Sequence, residues 1–344
     1  MRVVVLVPAH NEEGQIAATI ESLLGQTHRP HRIVIAVDNS TDETLTIAQQ
    51  YPVTVMETLG NTARKAGALN QAWWRHARDA DYVLTMDADT VLVPTALEGL
   101  VEALSADPDR GAVCARYWAK DSATRGLAWR LQRLEYARYD DGRDLRRWKV
   151  QVVSGAASLY RADVLREVST RVRGGLPWDS KSLIEDYALT LDIKTLGHTV
   201  GAAPGAHVLT DTPATFGQLW RQRLRWGRGG VDECRKRGWT PATRRDILAY
   251  FLFGASSLLR LLWVAYVIAL IYLGLGLAMS LIGLIPLVVM WVDRVTSAWR
   301  VPGRAWEDVL LSALLIVEDV YGVFLECCTA VAVVGSFRST SQDW

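Results

Sequence analysis

The feature that most constrains this chain is a run from Ile247 to Val292 in which Arg260 is the only charged residue. A bilayer span needs about 20 apolar residues, so the run is long enough for two spans. Basic residues flank it, with Arg245 before it and Arg294 after it. Because cytoplasmic flanks are rich in Lys and Arg, we predict a membrane hairpin at about 247–292 with both ends in the cytoplasm. The alternative is a buried helical hairpin of a soluble protein.

The distribution of charge divides the chain into two predicted domains. Its 344 residues include 38 Lys and Arg and 37 Asp and Glu, which gives a formal net charge of +1. This balance argues against a nucleic-acid binder that depends on bulk positive charge, and it excludes a highly charged disordered chain. Most charges fall in residues 1–246, the predicted globular domain. Residues 247–344 are predicted to form a membrane-associated helical region, with a third helix at about 307–337.

The beginning of the chain predicts on which side of the membrane the N-terminal domain lies. The apolar run Val3 to Val7 covers five residues before Pro8. This is shorter than the apolar core of a secretory signal. We therefore expect the N-terminal domain to lie on the cytoplasmic side of the cytoplasmic membrane.

The first 90 residues alternate predicted strands with predicted helices. The strands are short, β-branched runs at Val3–Val7, Ile33–Val37, Val53–Met56 and Tyr82–Met86. The helices are predicted at Glu12–Leu24, Glu43–Gln50 and Lys65–Arg78, with Ser40 and Glu43 spaced as a capping box for the second. This alternation predicts an α/β fold with a mainly parallel sheet, in which ligands bind beyond the carboxyl ends of the strands.

A pair of carboxylates, Asp87 and Asp89, follows the fourth predicted strand. On extended backbone, residues two apart point to one side. Carboxylate oxygens suit Mg²⁺ or Mn²⁺, and such an ion commonly carries a diphosphate as another ligand. The alternative is an exposed turn or a helix cap before Val91.

Several polar motifs occur in a fixed order along residues 3–245. They are Pro8-Ala-His-Asn-Glu-Glu13, Asp38-Asn-Ser-Thr-Asp42, Lys65-Ala-Gly-Ala-Leu-Asn70, Asp87-Ala-Asp89, Glu185-Asp186 and Gln222-Arg-Leu-Arg-Trp226. This ordered set resembles glycosyltransferase family 2, the membrane-attached GT-A group that includes cellulose, chitin and hyaluronan synthases. The resemblance implies a Rossmann-like GT-A catalytic domain, followed here by C-terminal membrane-associated helices.

The resemblance also implies a donor site. The implied nucleotide-sugar-binding residues are Pro8, Glu12, Asp38, Lys65, Asp87, Asp89, Gln222, Arg225 and Trp226. In the family the aspartate at the position of Asp38 contacts the base, usually uracil, and a lysine such as Lys65 lies near the nucleotide. Arg225 adds a cation beside the diphosphate. Trp226 offers a flat face to sugar or nucleotide, or it is a membrane-interface aromatic.

The implied metal is Mn²⁺ or Mg²⁺, held by Asp89 and Asp87. His207 is either a third ligand or a structural histidine.

The implied catalytic pair is Glu185 and Asp186, with Asp186 as the base that takes a proton from the acceptor hydroxyl. The alternative is a pair of acids that stabilise a helix N-terminus. Ser154 and Gly155 resemble a small-residue acceptor loop, or they form a plain turn. Trp178 is predicted either to stack on an acceptor or to anchor its loop by burial.

These residues together predict an inverting glycosyltransferase that moves a sugar from a nucleotide-sugar, by resemblance a UDP-sugar, to a hydroxyl of a glycan or glycolipid. The alternatives are a polyprenyl-phosphate glycosyltransferase and a non-catalytic membrane scaffold that retains the fold. The predicted partners are donor, acceptor and lipid bilayer, with association of copies through the C-terminal helices as a further alternative. Asp308, Asp319 and Glu326 would form one acidic stripe on the third helix, which would face water, a partner helix or a basic group such as Arg260 or Arg304.

Overall fold

The computed structural model describes residues 1–121, 125–274 and 281–338. The chain packs as two compact units. The first contains Met1–Trp129 and Tyr139–Leu219, and the second contains Arg130–Arg138 and Trp220–Trp344. The domain boundary at residue 246 stays a prediction. Residues 275–280, inside the predicted membrane hairpin, lie outside the described residues.

The first unit is built on a sheet of eight strands. These are β1 Val3–Ala9, β2 Arg32–Val37, β3 Thr54–Glu57, β4 Tyr82–Met86, β5 Thr90–Leu92, β6 Arg110–Ala119, β7 Ala157–Arg161 and β8 Thr199–Thr210. Their spatial order is β3-β2-β1-β4-β7-β6-β8-β5. Four neighbouring pairs are parallel, and the three that involve β7 or β5 are antiparallel. The predicted α/β fold with a mainly parallel sheet is confirmed.

Helices cover both faces of this sheet. Those that lie wholly in the first unit are α1 Ile16–Leu24, α2 Thr44–Ala48, α3 Arg64–Ala72, α4 Ala96–Ser105, α6 Ala162–Glu167 and α7 Glu185–Thr195. Two further helices, α5 Leu127–Leu145 and α8 Phe216–Arg237, have residues in both units. Successive strand residues point to opposite faces, so β1 supplies Val5 and Val7 to one apolar core and Val4 and Leu6 to the other. The buried, β-branched strands read from the sequence thus form the centre of the unit.

Two predicted helix beginnings differ from the structure. The helix predicted from Glu12 begins at Ile16, because Glu12 instead forms a turn whose carbonyl accepts bonds from the amides of Gln15 and Ile16. The capping box at Ser40 and Glu43 does not form. Its place is taken by Asp42, whose Oδ1 accepts the amide of Thr44 at 3.0 Å.

The second unit contains most of α8 and four further helices, α9 Arg244–Tyr272, α10 Leu281–Trp299, α11 Trp306–Ala313 and α12 Leu315–Arg338. By length and composition, α9 and α12 are each sufficient to cross a membrane. In the most apolar 18-residue segment of α9 no residue is buried within the protein, whereas 22% of the corresponding segment of α12 is buried. The membrane hairpin predicted at 247–292 therefore contains one such helix, α9, among the residues described.

The single third helix predicted at 307–337 is wrong. The chain breaks at Leu314, whose ψ of 76° is not helical, and α11 and α12 are separate. The acidic stripe therefore does not form. Asp308 is fully buried on α11, whereas Asp319 on α12 is exposed. Glu326 does meet a basic group, since its Oε1 lies 3.2 Å from Arg260 Nη1.

Buried ion pairs link α5 to the other helices of the second unit. Asp308 accepts hydrogen bonds from Arg130 at 2.9 Å and from Arg133 at 3.0 Å. Glu318, also buried, pairs with Arg138 at 2.7 Å and with Arg294. Two carboxylates inside this unit are therefore neutralised by arginines, as buried charges require.

Candidate active site

A lysine lies at the centre of the polar cluster beyond the strand ends. Lys65, on the first turn of α3, places its Nζ 2.5 Å from Asp87 Oδ1 and 2.9 Å from Glu185 Oε1. Asp87 directly follows β4, and Glu185 is the first residue of α7. Burial acts to lower the pKa of Lys65, but these two carboxylates outweigh it and hold the pKa well above its ordinary value. Lys65 is therefore a fixed cation.

The carboxylate of Asp186 is held by two backbone amides. Its Oδ2 accepts the N–H of Gly155 at 2.9 Å, and its Oδ1 accepts the N–H of Tyr187 at 2.7 Å. Burial and the charge of Glu185 raise the pKa of Asp186 to about 6, although Lys65 acts in the opposite direction. A fixed carboxylate with this pKa can serve as a base near neutral pH.

Gly155 lies where the three charged side chains converge. A β-carbon at this position would come within 2.7 Å of Lys65 Nζ, 3.5 Å of Asp186 Oδ2 and 3.6 Å of Asp87 Oδ2. A side chain at this position would therefore require the end of Lys65 to shift. The sequence indicated Gly155 as an acceptor contact, and it gave no sign that the Gly155 amide holds Asp186. Ser154, the other predicted acceptor residue, has a buried Oγ that bonds to no described residue.

A second group of carboxylates lies next to Asp87. Asp89 occupies a turn between β4 and β5, so a turn rather than extended backbone brings Asp87 and Asp89 together. The antiparallel register pairs Thr90 with Thr210, which places Asp211 beside Asp89. Burial and the charge of Asp87 raise the pKa of Asp89 to about 6. Asp211 thus belongs to the site.

Glu12 joins this carboxylate group. Burial and the charges of Asp89 and Asp87 raise the pKa of Glu12 to about 7. The charge that opposes this shift is Lys120, whose Nζ lies 3.8 Å from Asp211 Oδ1 and bonds Gln15 Oε1 at 3.0 Å. No motif pointed to Lys120, because it comes from the end of β6, far along the chain. Pro8, another predicted donor residue, lies within β1.

The donor set fits a divalent cation. Mg²⁺ and Mn²⁺ prefer oxygen ligands, and Mg²⁺ typically takes one or two carboxylates together with substrate phosphates. Asp87 and Asp89 supply such carboxylates. Because the two negative charges lie close together, a cation nearby is favoured. Within residues 1–121, 125–274 and 281–338, no group of three or more His, Cys, Asp or Glu side chains is arranged to hold a metal. The remaining ligands would come from the diphosphate.

His207 does not lie beside these carboxylates. In the β5–β8 register it is opposite Val93, three residues beyond the Thr90–Thr210 pair. That separation along a strand is about 10 Å. Burial and the charge of Arg116 lower the pKa of His207. His207 is therefore too far from Asp89 to be a third metal ligand beside it, and its position fits the alternative of a structural histidine.

Asp38 forms a separate polar site directly after β2. Its side chain is only 7% exposed. Oδ1 accepts hydrogen bonds from Thr58 Oγ1 at 2.7 Å, Asn61 Nδ2 at 2.7 Å and Asn39 Nδ2 at 3.0 Å. Neither Thr58 nor Asn61 was indicated by sequence, because both lie in an irregular segment between β3 and α3.

Trp178 is buried rather than available for stacking. It is 3% exposed and packs edge-on against Trp73, with ring centroids 6.5 Å apart. Its amide and carbonyl both bond the side chain of Asn70, at 3.1 and 2.8 Å. Trp178 anchors its loop, which corrects the expectation that its ring faces an acceptor.

Gln222, Arg225 and Trp226 lie on the part of α8 that belongs to the second unit. Trp226 is 38% exposed, and the guanidinium of Arg223 lies 4.7 Å from the centre of its ring. Arg223 also bonds Glu135 at 2.9 Å. Arg223 thus has a structural role within this unit, and the donor roles of Gln222, Arg225 and Trp226 stay predictions.

Comparison with known proteins gives the family. The model of glycosyl transferase family 2 matches residues 4–169. The match covers just under half of the chain and gives this segment the sequence of a family 2 glycosyltransferase. It includes Asp38, Lys65, Asp87, Asp89 and Gly155, and it ends before Asp186. The family predicted from the ordered motifs is confirmed.

Curated relatives of this chain include the poly-β-1,6-N-acetyl-D-glucosamine synthase of Staphylococcus aureus strain MSSA476. It is 27% identical over 278 residues, which are 78% of this chain and 63% of the relative. The Staphylococcus epidermidis synthase of the same name is 25% identical over 76% of this chain and 62% of its own length. The chain thus spans less than two thirds of these relatives.

Solved structures give the fold. The mannosyltransferase PcManGT from Pyrobaculum calidifontis, in complex with GDP-Man and Mn²⁺, matches with a TM-score of 0.59 and 18% identity. The match covers 99% of this chain and 88% of that one. The predicted GT-A-like architecture is confirmed.

Proposed function

We propose that this protein is an inverting glycosyltransferase that transfers a sugar from a uridine diphosphate donor to a hydroxyl of a glycan or glycolipid. The observation that carries the proposal is the placement of Asp186, fixed by two backbone amides next to Lys65 and Asp87 in a family 2 fold. The named activity of the staphylococcal relatives, synthesis of a poly-N-acetylglucosamine, supports a glycan acceptor.

Asp186 would act as the base. Inversion requires an acceptor hydroxyl to attack the anomeric carbon from the face opposite the leaving diphosphate, while a base takes the hydroxyl proton. The two amides fix the orientation of the Asp186 carboxylate and leave each of its oxygens able to accept a further hydrogen bond. Glu185 pairs with Lys65 and raises the pKa of Asp186, which makes Glu185 a positioning residue.

Lys65, Asp87 and Asp89 would hold the donor diphosphate. Asp89 and Asp87 would carry Mn²⁺ or Mg²⁺, which neutralises negative charge on the leaving group when bound. Lys65 lies against Asp87 and would add a positive charge beside the same phosphates. Asp38 would accept a hydrogen bond from the nucleobase of the donor. Gln222, Arg225 and Trp226 are proposed to complete the donor site, as the family motif implies.

The helices α9 and α12 are proposed to attach the enzyme to the cytoplasmic membrane, with the catalytic unit on the cytoplasmic side. Their length and apolar composition support this. A membrane location would place a lipid-linked or growing glycan acceptor close to the site.

The test is a donor screen on detergent-purified full chain with Mn²⁺, in which released nucleotide and product mass are followed together. UDP release coupled to a hexose or N-acetylhexosamine mass increment is the expected result. Asp186→Asn should reduce transfer at least about 10²-fold, since a general base contributes about that much. Asp163→Asn, an exposed acid on α6, is the matched control and should leave transfer unchanged.

Two outcomes would redirect the proposal. A polyprenyl-phosphate acceptor barely needs a base, so Asp186→Asn that retained most activity would favour that reaction. No transfer or donor hydrolysis from any donor would favour a scaffold that retains the fold.

A further inference from the structure

Asp38 has two chemically unequal carboxylate oxygens. Oδ1 accepts three hydrogen bonds, from Thr58, Asn61 and Asn39. Oδ2 accepts none from the described residues, and it is not among the buried polar atoms that lack a partner. A carboxylate oxygen has about two lone pairs. Oδ1 is therefore saturated by protein, and Oδ2 is the oxygen left for a ligand.

The donors to Oδ1 are themselves held in place. Asn61 Oδ1 accepts the amide of Ala63 at 3.0 Å, and Asn61 Nδ2 also donates to the carbonyl of Arg64 at 2.8 Å. Asn39 Nδ2 donates to the carbonyl of Asn61 at 3.0 Å as well as to Asp38. Because each amide is fixed by a second bond, Oδ1 cannot be released by a simple side-chain rotation.

The common nucleotide bases differ in what they offer a carboxylate. Uracil has a single ring N–H, at N3, between two carbonyl oxygens. Guanine has two adjacent donors, N1–H and the N2 amino group, which a carboxylate binds best with both oxygens. Cytosine has no ring N–H at N3. A site built to bond one donor pattern rejects a base that lacks it or leaves a donor unpaired.

We propose that Thr58 and Asn61 determine the base specificity of the donor site. Together with Asn39 they occupy Oδ1 of Asp38 and leave one oxygen, Oδ2, which matches the single N3–H of uracil and leaves a guanine donor unpaired. This inference rests on the proposed use of a nucleotide donor. The fold does not fix the base, since the mannosyltransferase of the same fold was solved with GDP-Man. The preference for one nucleobase must therefore come from side chains of the site such as Thr58 and Asn61.

The experiment measures binding of UDP, GDP and CDP to the full chain in detergent with Mn²⁺, by isothermal titration calorimetry. The wild type should bind UDP at least about tenfold more tightly than GDP, which is the discrimination expected for one unpaired buried donor. Thr58→Val keeps the shape and removes one hydrogen bond to Oδ1. It leaves two donors on Oδ1 and should lower the UDP-to-GDP affinity ratio only slightly, whereas Thr58→Val with Asn61→Ala leaves Asn39 as the one remaining donor and should lower the ratio by at least about fivefold.

Two matched variants control for packing. Thr58→Ser keeps the hydroxyl and should restore the ratio. Thr54→Val makes the same replacement on β3, at a threonine with no side-chain hydrogen bond among those described, and it should leave the ratio unchanged.

The outcomes separate this inference from the proposed function. If wild type binds none of the three nucleotides, the proposed function itself fails. If UDP binds but the ratio does not change in either variant, the specificity inference is overturned. An equal loss of UDP and GDP affinity also overturns it, since it would mean that Thr58 and Asn61 only support the loop.

Discussion

Arg260 Nη1 lies 3.2 Å from Glu326 Oε1, and each residue is near the midpoint of its own helix, α9 or α12. These are the two described helices that are long and apolar enough to cross a membrane. An isolated charge in the middle of a span is costly, whereas a pair between helices is tolerated. We infer that each charge is retained because the other neutralises it.

Removing one partner of this pair should cost more than removing both. Arg260→Leu and Glu326→Leu each leave an unpaired charge, so each should lower the thermal denaturation midpoint in detergent, while the double variant should be less affected than either single one. Asp319→Leu, which removes an exposed acid from the same helix α12, is the control. A double variant as unstable as the sum of the single ones would contradict the pairing.

A side chain at residue 155 should damage catalysis. In Gly155→Ala the β-carbon would approach Lys65 Nζ to 2.7 Å, so the lysine must leave Asp87. We expect transfer to fall by about tenfold or more, because small displacements of reacting groups cost rate. Gly175→Ala is the matched control, because a β-carbon there meets nothing within 4 Å. Steady-state kinetics with an unchanged melting temperature would separate this effect from unfolding, and a fully active Gly155→Ala would contradict it.

The rate should depend on the ionisation of Asp186. Burial and Glu185 raise its pKa to about 6, and the base must be ionised to accept a proton. Transfer should therefore fall progressively below about pH 6 and be constant above it, instead of persisting to the lower pH typical of an aspartate. The profile is measured at saturating donor and metal. A profile that stays level down to pH 5 would argue against Asp186 as the base.

Lys65→Met should move this pH profile. The lysine charge lowers the pKa of Asp186, so its loss should raise that pKa and shift the acidic limb to higher pH. A lower maximal rate without any shift would mean that Lys65 acts on the donor alone. The measurement is the pH dependence of kcat for wild type and variant side by side.

Asp308 should be required for the stability of the second unit. Asp308→Ala leaves Arg130 and Arg133 without their shared carboxylate, and breaking a buried pair in this way costs about 3–5 kcal/mol. Glu307→Ala is a close control, because that neighbouring side chain is 64% exposed and lies 3.9 Å from Arg130. An exposed pair contributes about 0–1 kcal/mol. Equal losses of the denaturation midpoint in the two variants would contradict the buried role.

The sequence predicted what local pattern determines. The four N-terminal strands could be read because each is a short β-branched run. Asp87, Lys65 and Glu185 were indicated as site residues by the resemblance to the family, and their contact with one another appears only in the structure. The break at Leu314 could not be predicted, since the apolar pattern continues through it. The break lies between Asp308, which pairs with Arg130, and Glu318, which pairs with Arg138.

Site details that depend on pairing between distant strands also lay beyond the sequence. His207 and Asp211 are four residues apart, and only the β5–β8 register decides which of them lies beside Asp89. Lys120 and Thr58 reach their partners through tertiary contacts that no spacing encodes.

The bond from the Gly155 amide to Asp186 has a consequence for how this enzyme can diverge. A contact made by backbone survives most mutations of its own residue, but here the residue can carry no side chain without displacing Lys65. Residue 155 and Lys65 are therefore expected to change together: a homologue with a larger residue at 155 should hold its lysine in a different position.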